Sequence, residues 1–240
     1  MKIIAHRGYS ASYPENTPEG WAAAYANGAF AIEADVRLSR DGVCICAHDS
    51  DLNRLFGRPE RPEDLSLHEL LALRNDTGGR IVALVEVLQH AAEGRAVLLD
   101  IKDETPPALE AIWQNIRNAV PAAQRPLVIA GCHTLEAVQF FYTKGETGIL
   151  GFIPAAEQAE AFLAAGASRI RFWERDASAE CVGRLQGLGA EVWITSGGTG
   201  TPFRGGETSA ENLARLRATG AEGVLVDDVS LAKSTLGASS

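Results

Sequence analysis

Near its start the chain reads His6-Arg7-Gly8, a histidine beside an arginine at the end of an apolar run, followed by a glycine that admits a close turn. Imidazole moves protons near neutral pH and guanidinium clamps phosphate oxygens, so the triplet suits an acid/base group next to a phosphate. Glu33-Ala34-Asp35 sets two carboxylates two residues apart. In a strand both project from one face, while Ile32, Ala34 and Val36 take the other. Carboxylates that close repel and shift in pKa unless a cation neutralises them, and a hard divalent ion, Mg2+ or Ca2+, does so with oxygen ligands. Leu98-Leu99-Asp100-Ile101-Lys102 repeats the alternation: Asp100 could complete an oxygen site and Lys102 could hold a phosphate oxygen. Each group also has a plainer use: a capped strand end at His6, rim salt bridges from the Glu33-Asp35 pair to Arg37, and a simple Asp100–Lys102 ion pair.

To act together these residues must be carried to one place. Short apolar β-type runs alternate with amphipathic helical stretches, the pattern of a parallel sheet with crossover helices. Strands are predicted at 2–6, 31–38, 96–102, 127–131, 148–153, 169–173, 191–195 and 223–227. Helices are predicted at 17–26, 83–92, 108–119, 134–144, 155–165, 178–188 and 209–218, with a last one from Leu231 onward. Gly28-Ala29, Gly166-Ala167, Gly189-Ala190 and Gly220-Ala221 each follow a helical pattern, where a left-handed glycine closes the helix. Eight strands and no GxGxxG fingerprint favour a (β/α)8 TIM barrel over an open doubly wound sheet. The strand ends of such a barrel face its active site. His6, Glu33, Asp35, His48, Asp100 and Lys102 then map to one mouth.

After Val36 the link Arg37 to Gly42 is too short for a crossover, so the run Val43 to Ala47 must return antiparallel. A turn centred near Arg40-Asp41-Gly42-Val43 sets His48 opposite Asp35. The polar segment Asp49 to Arg80, with one short helix after the capping box Ser66-Leu67-His68-Glu69, reads as an insertion above the mouth. The expected organisation is one barrel domain over 1–240, with that insertion at about 49–80.

A net charge of −9 argues against nucleic-acid or anionic-membrane surfaces, which need a basic face to displace counterions. The start holds no apolar run of signal-peptide length, and no stretch approaches a membrane span, so a cytoplasmic location without membrane insertion is expected. Cys44, Cys46, Cys132 and Cys181 lack disulfide-scaffold density and read as reduced and mostly buried, with Cys44 and Cys46 on one strand face with His48. His68, His90 and His133 read as solvated or structural. Trp173 and Trp193 suit either an apolar wall at the mouth or core packing.

The combination His6-Arg7-Gly8, Pro14-Glu15-Asn16-Thr17, Glu33-x-Asp35 with the Arg40-Asp41-Gly42 turn, His48-Asp49 and Asp100-x-Lys102 resembles the glycerophosphodiester phosphodiesterase family in order and spacing. The stretch from Leu213 to Asp227 is also similar to that family's last helix and strand. The resemblance implies a TIM barrel that hydrolyses glycerophosphodiesters, a small-molecule substrate, to glycerol 3-phosphate and an alcohol. It implies His6 and His48 as the acid/base pair, Glu33, Asp35 and Asp100 as ligands of a divalent cation, Mg2+ or Ca2+, and Arg7 with Lys102 as phosphate contacts. The chain departs from the pattern in having Asp100 where the family usually has Glu. It also has Trp193-Ile194-Thr195-Ser196-Gly197-Gly198 in place of a Trp-Thr-Val-Asn type segment, and Asp227-Asp228-Val229-Ser230 in place of Thr-Asp-Arg-Pro. The last two touch the side that would meet the leaving alcohol. A related barrel phospholipase or lyase acting on acylated lipids, with an apolar lip at Leu52, Leu55 and Phe56, and a non-catalytic ligand-binding barrel, are the rival readings.

Overall fold

Successive residues along the strands fall into two separate apolar clusters, as expected of a sheet covered by helices on one face and closed on itself on the other. The computed structural model describes residues 1–237. The chain runs through β1 (Lys2–Ala5), α1 (Pro18–Ala26), β2 (Ala31–Leu38), β3 (Cys44–Cys46), α2 (Asn53–Phe56), α3 (Leu67–Leu71) and β4 (Val82–Ala83). There follow α4 (Leu84–Ala92), β5 (Ala96–Ile101), α5 (Pro106–Ala119), β6 (Val128–Cys132), α6 (Leu135–Lys144), β7 (Gly148–Phe152) and α7 (Ala159–Ala165). The last elements are β8 (Arg169–Trp173), α8 (Ala179–Gly187), β9 (Glu191–Thr195), α9 (Ala210–Ala218), β10 (Gly223–Val226) and α10 (Val229–Gly237).

β1, β2 and β5 to β10 pair in parallel around a ring that closes through β1–β10 and β1–β2, making a (β/α)8 barrel. Ile4, Leu98, Ile129, Leu150, Phe152, Trp193 and Leu225 fill the lumen. Ala5, Ile32, Ala34, Val36, Val97, Leu99, Ile101, Ile170 and Phe172 pack outward with the helices. Thr17, Thr134, Ser178 and Ser209 end outside their helices as N-caps, accepting from the backbone N–H of Gly20, Ala137, Cys181 and Asn212. Caps of this kind stabilise by about 1 kcal/mol each. The predicted glycine stops hold, with Gly28, Gly166, Gly189 and Gly220 all at positive φ.

The β2–β3 hairpin differs from expectation by one residue. Ser39 pairs with Val43 across a three-residue loop that ends on left-handed Gly42, so Val36 faces Cys46. Ala47 therefore lies opposite Asp35, donating its N–H to Asp35 O at 3.1 Å, and His48 falls just beyond β3. The left-handed Gly42 occupies the third position of the loop and not the second of a two-residue turn, which moves the register by one. β4, unpredicted because Ala83 reads as a helix start, pairs antiparallel with β3. All four cysteines are free, and Cys44 and Cys46 pack in the outer core, away from His48.

Residues 49–80 form α2, a 3-10 turn at Pro62–Asp64 and α3, whose Ser66–Glu69 capping box is present on both sides. Leu52 is buried with Ile45, Leu65, Leu70 and Ile81, and Phe56 packs on them. Leu52 therefore belongs to a small core and forms no exposed lip. No helix among the described residues is long and apolar enough to cross a membrane.

Candidate active site

The inward row of each strand changes from apolar to charged towards its C-terminal end: Ile4 then His6, Ala31 then Glu33 and Asp35, Leu98 then Asp100, Leu225 then Asp227. A cavity of about 770 Å³ opens there, and His6, Arg7, His48, Asp100 and Lys102 all line it. Glu33 and Asp35, each 1% exposed, lie just beneath. All seven residues singled out in the sequence are thus brought together.

Glu33, Asp35 and Asp100 each offer one carboxylate oxygen within 4.8 Å of the others. Register explains the grouping, because Asp35 and Asp100 are paired neighbours on β2 and β5 and Glu33 is two residues below on the same face. Glu33 Oε2 accepts the Arg7 N–H at 2.6 Å, whereas Glu33 Oε1 is buried with no partner. Asp35 Oδ2 accepts from Asn16 Nδ2 at 2.8 Å. Lys102 Nζ stands 3.0 Å from Asp35 Oδ1 and 2.7 Å from Asp100 Oδ2. Burial, then Asp35 and Asp100, hold Glu33 well above the usual carboxylate range. Burial, the largest single influence, pushes Asp35 and Asp100 the same way, but Lys102 together with Arg7 and His48 at Asp35, and together with His133 at Asp100, outweighs it and both end below that range. An orphaned buried oxygen within a trio of clustered carboxylates is the donor set a hard divalent cation takes, so the residues fit such an ion.

Arg7 is held at φ 57 and Gly8 at φ 85, a left-handed pair that turns the chain sharply past β1. A side chain at Gly8 would press on Gly20 and Trp21, and only glycine satisfies both the space and the φ. Arg7 bonds Glu15 and lies 3.5 Å from Asp35. Both predicted phosphate cations, Arg7 and Lys102, are therefore paired with carboxylates.

The two histidines are oriented alike. His6 Nδ1 lies 2.8 Å from Asp227 Oδ1, and His48 Nδ1 lies 2.7 Å from Asp49 Oδ1, which leaves Nε2 of each unengaged by these carboxylates. Asp49 is held by Arg54 Nε at 2.6 Å, and Arg54 forks onto both oxygens of Glu15 at 2.7 Å. Arg37 donates to His48 O. The inserted α2 thus helps to fix a histidine of the barrel mouth. Burial lowers the His48 pKa below its ordinary value, against the pull of Asp35.

Several cavity residues were missed or left undecided, Arg54 and Arg204 among them. His133, read as solvated or structural, lies with Nε2 2.7 Å from Asp100 Oδ1 and stacks on Phe152. Asp227, noted only as a departure, is the partner of His6. Trp173 lines the cavity, whereas Trp193 is fully buried in the lumen. Arg171 is 7% exposed, donates Nε to Thr195 Oγ1, and packs its guanidinium 3.9 Å from the Trp173 ring centre and 5.0 Å from that of Phe152. The signal for Arg171 was available: Arg169-x-Arg171-x-Trp173 alternates with outward Ile170 and Phe172, as Glu33-x-Asp35 does with Ile32 and Ala34.

Fold and site together define a (β/α)8 barrel with an acidic, histidine-flanked mouth. The family model of the glycerophosphoryl diester phosphodiesterase family matches residues 6–138, more than half of the chain, and the chain belongs to that family. A glycerophosphodiester phosphodiesterase of Bacillus altitudinis is 33% identical over 108 residues, 42% of this chain and 44% of that protein. The chain thus matches less than half the length of that curated relative. The crystal structure of a glycerophosphodiester phosphodiesterase from Thermotoga maritima is 25% identical, covers 95% of each chain and gives a TM-score of 0.75. A phosphodiesterase from Oleispira antarctica, solved with its product sn-glycerol-3-phosphate, is 21% identical, with a TM-score of 0.84 over 99% of this chain and 97% of that one.

Proposed function

We propose that the protein hydrolyses glycerophosphodiesters to glycerol 3-phosphate and an alcohol, with a divalent cation, Mg2+ or Ca2+, held by Glu33, Asp35 and Asp100. The observation that carries this reading is the junction in one mouth of a carboxylate trio with an orphaned oxygen and two histidines, each held at Nδ1 by a carboxylate. Membership of the family and the product held by the Oleispira antarctica relative support it. When bound, the cation supplies charge that polarises a phosphate oxygen and offsets what develops on it.

The chain's own residues do the rest. Asp227 and Asp49 hold Nδ1 of His6 and His48, so each Nε2 is the nitrogen presented for proton transfer. One histidine takes a proton from the attacking water or a neighbouring glycerol hydroxyl, and the other delivers one to the leaving alcohol. Arg7 and Lys102, at the edge of the carboxylate trio, turn their donors to the phosphate as its charge grows. Glycerophosphodiester given to the purified protein with Mg2+ or Ca2+ releases glycerol 3-phosphate, read by a coupled dehydrogenase, and exhaustive chelation stops it. Full turnover in a verified metal-free sample would end this mechanism.

A further inference from the structure

Five cations line the cavity, and they divide into two kinds. Arg7, Arg54 and Lys102 are each paired with carboxylates. Arg171 and Arg204 have no carboxylate in ion-pair reach among the described residues. For Arg171 this is costly, because a guanidinium more than nine-tenths buried has given up water without a counter-charge. Burial lowers its pKa to about 10, against the more distant pull of Asp100 and Glu33, so it keeps its charge at neutral pH. Trp173 and Phe152 pack on the guanidinium, and Thr195 takes only Nε, which leaves both Nη groups without a protein acceptor among the described residues. A planar donor fork fixed in this way and lining a cavity is built for an oxyanion.

The anion it serves is set by position. β8, which carries Arg171, is four strands from β2 in either direction round the ring, directly across the barrel from Glu33 and Asp35. The scissile phosphate belongs beside those carboxylates and the two histidines, and about 770 Å³ leaves room for more than that group. The loop after β9 brings exposed Arg204 to the same cavity, and Gly205 of that loop packs on Trp173.

We propose that Arg171, with Arg204 at the rim, receives a second oxyanion borne by the alcohol part of the substrate, so that the protein selects glycerophosphodiesters with a negatively charged headgroup. The inference rests on the proposed hydrolysis and names its substrate class. Glycerophosphoinositol and glycerophosphoinositol 4-phosphate differ only by such a group. Their binding is measured by calorimetry with Mg2+ on His48→Ala protein, in which turnover is slowed ~10²- to 10⁴-fold. The 4-phosphate should bind about tenfold tighter or more, the range of a hydrogen bond to a charged group. Arg171→Met and Arg204→Gln, each added to that background, should lower the ratio of the two dissociation constants, and together bring it near one. Arg204 is exposed, so Arg204→Gln decides the matter if Arg171→Met does not fold. A ratio near one in the parent, or a ratio unmoved by both substitutions, overturns the proposal. So does an equal weakening of both ligands by Arg171→Met, which would put the guanidinium on the shared phosphodiester. Failure to bind either ligand overturns this inference and the proposed function together. Binding without turnover by the wild type overturns only the proposed activity and leaves the ratio to judge the subsite.

Discussion

His6 Nδ1 and Asp227 Oδ1 lie 2.8 Å apart, joining the end of β1 to the end of β10 at the seam where the barrel closes. Ser10 Oγ lies 3.0 Å from the same carboxylate oxygen and 2.8 Å from His6 O, sharing its one proton between them, so the pair is buttressed from the following turn. Asp227→Ala removes only this support. It should lower kcat by about tenfold, less than the ~10²- to 10⁴-fold of an acid/base group itself, with KM little changed. Gly206, at φ 91, packs its backbone directly on the His6–Asp227 pair, and a Cβ there would collide with both. Gly206→Ala should therefore reproduce the kinetic defect of Asp227→Ala, and steady-state kinetics on both variants checks this.

Arg54 is half exposed, and its pairs with Asp49 and Glu15 contribute little to stability, at most about 1 kcal/mol. Its use is to hold Asp49 against His48. Arg54→Ala should leave the melting temperature within a few degrees, since about 1 kcal/mol moves a chain of this size by only ~2–4 °C, while kcat falls. A melt and a progress curve on one sample separate the two effects.

Glu33 predicts opposite outcomes with and without cation. Its carboxylate is buried against Asp35 and Asp100, so Glu33→Gln removes a repelling charge yet keeps an oxygen for the Arg7 N–H. The metal-free variant should melt at or above metal-free wild type. At a cation concentration of 100 Kd, wild type should gain about 2.7 kcal/mol, roughly 5–10 °C, and Glu33→Gln should gain little. Differential scanning fluorimetry with and without Mg2+ or Ca2+ gives all four values.

Asp100 tests charge against reach. Asp100→Glu keeps the charge and should keep cation binding and turnover within about tenfold. Asp100→Asn should lose far more, because it withdraws the charge that Lys102 and His133 also share. Equal, mild losses in the two would place Asp100 outside the coordination sphere.

Much of the mouth was legible because a strand's period of two is rigid: once Ile4, Ala31 and Leu98 face the lumen, His6, Glu33, Asp35 and Asp100 must follow. The barrel strands were legible for the same reason, each being an apolar run bounded by caps and glycine stops. The hairpin register was not, because one loop residue decides it and Arg40-Asp41-Gly42 admits either count. His133, Asp227 and Arg171 acquire meaning only through partners on other strands, 33, 221 and 24 positions away. No local pattern carries such pairings.

The central claim, that His6 and His48 serve one transition state as a proton-transfer pair, is tested most directly by comparing an alkyl glycerophosphodiester with a nitrophenyl phosphodiester. On the alkyl substrate His6→Ala and His48→Ala should each lose ~10²- to 10⁴-fold, and the double variant should be scarcely worse than the poorer single. The nitrophenyl leaving group needs no proton, so the variant lacking the general acid should recover on it and the other should not. The account is contradicted if both single variants keep more than about a tenth of wild-type activity on the alkyl substrate, too small a loss for a group that must transfer a proton.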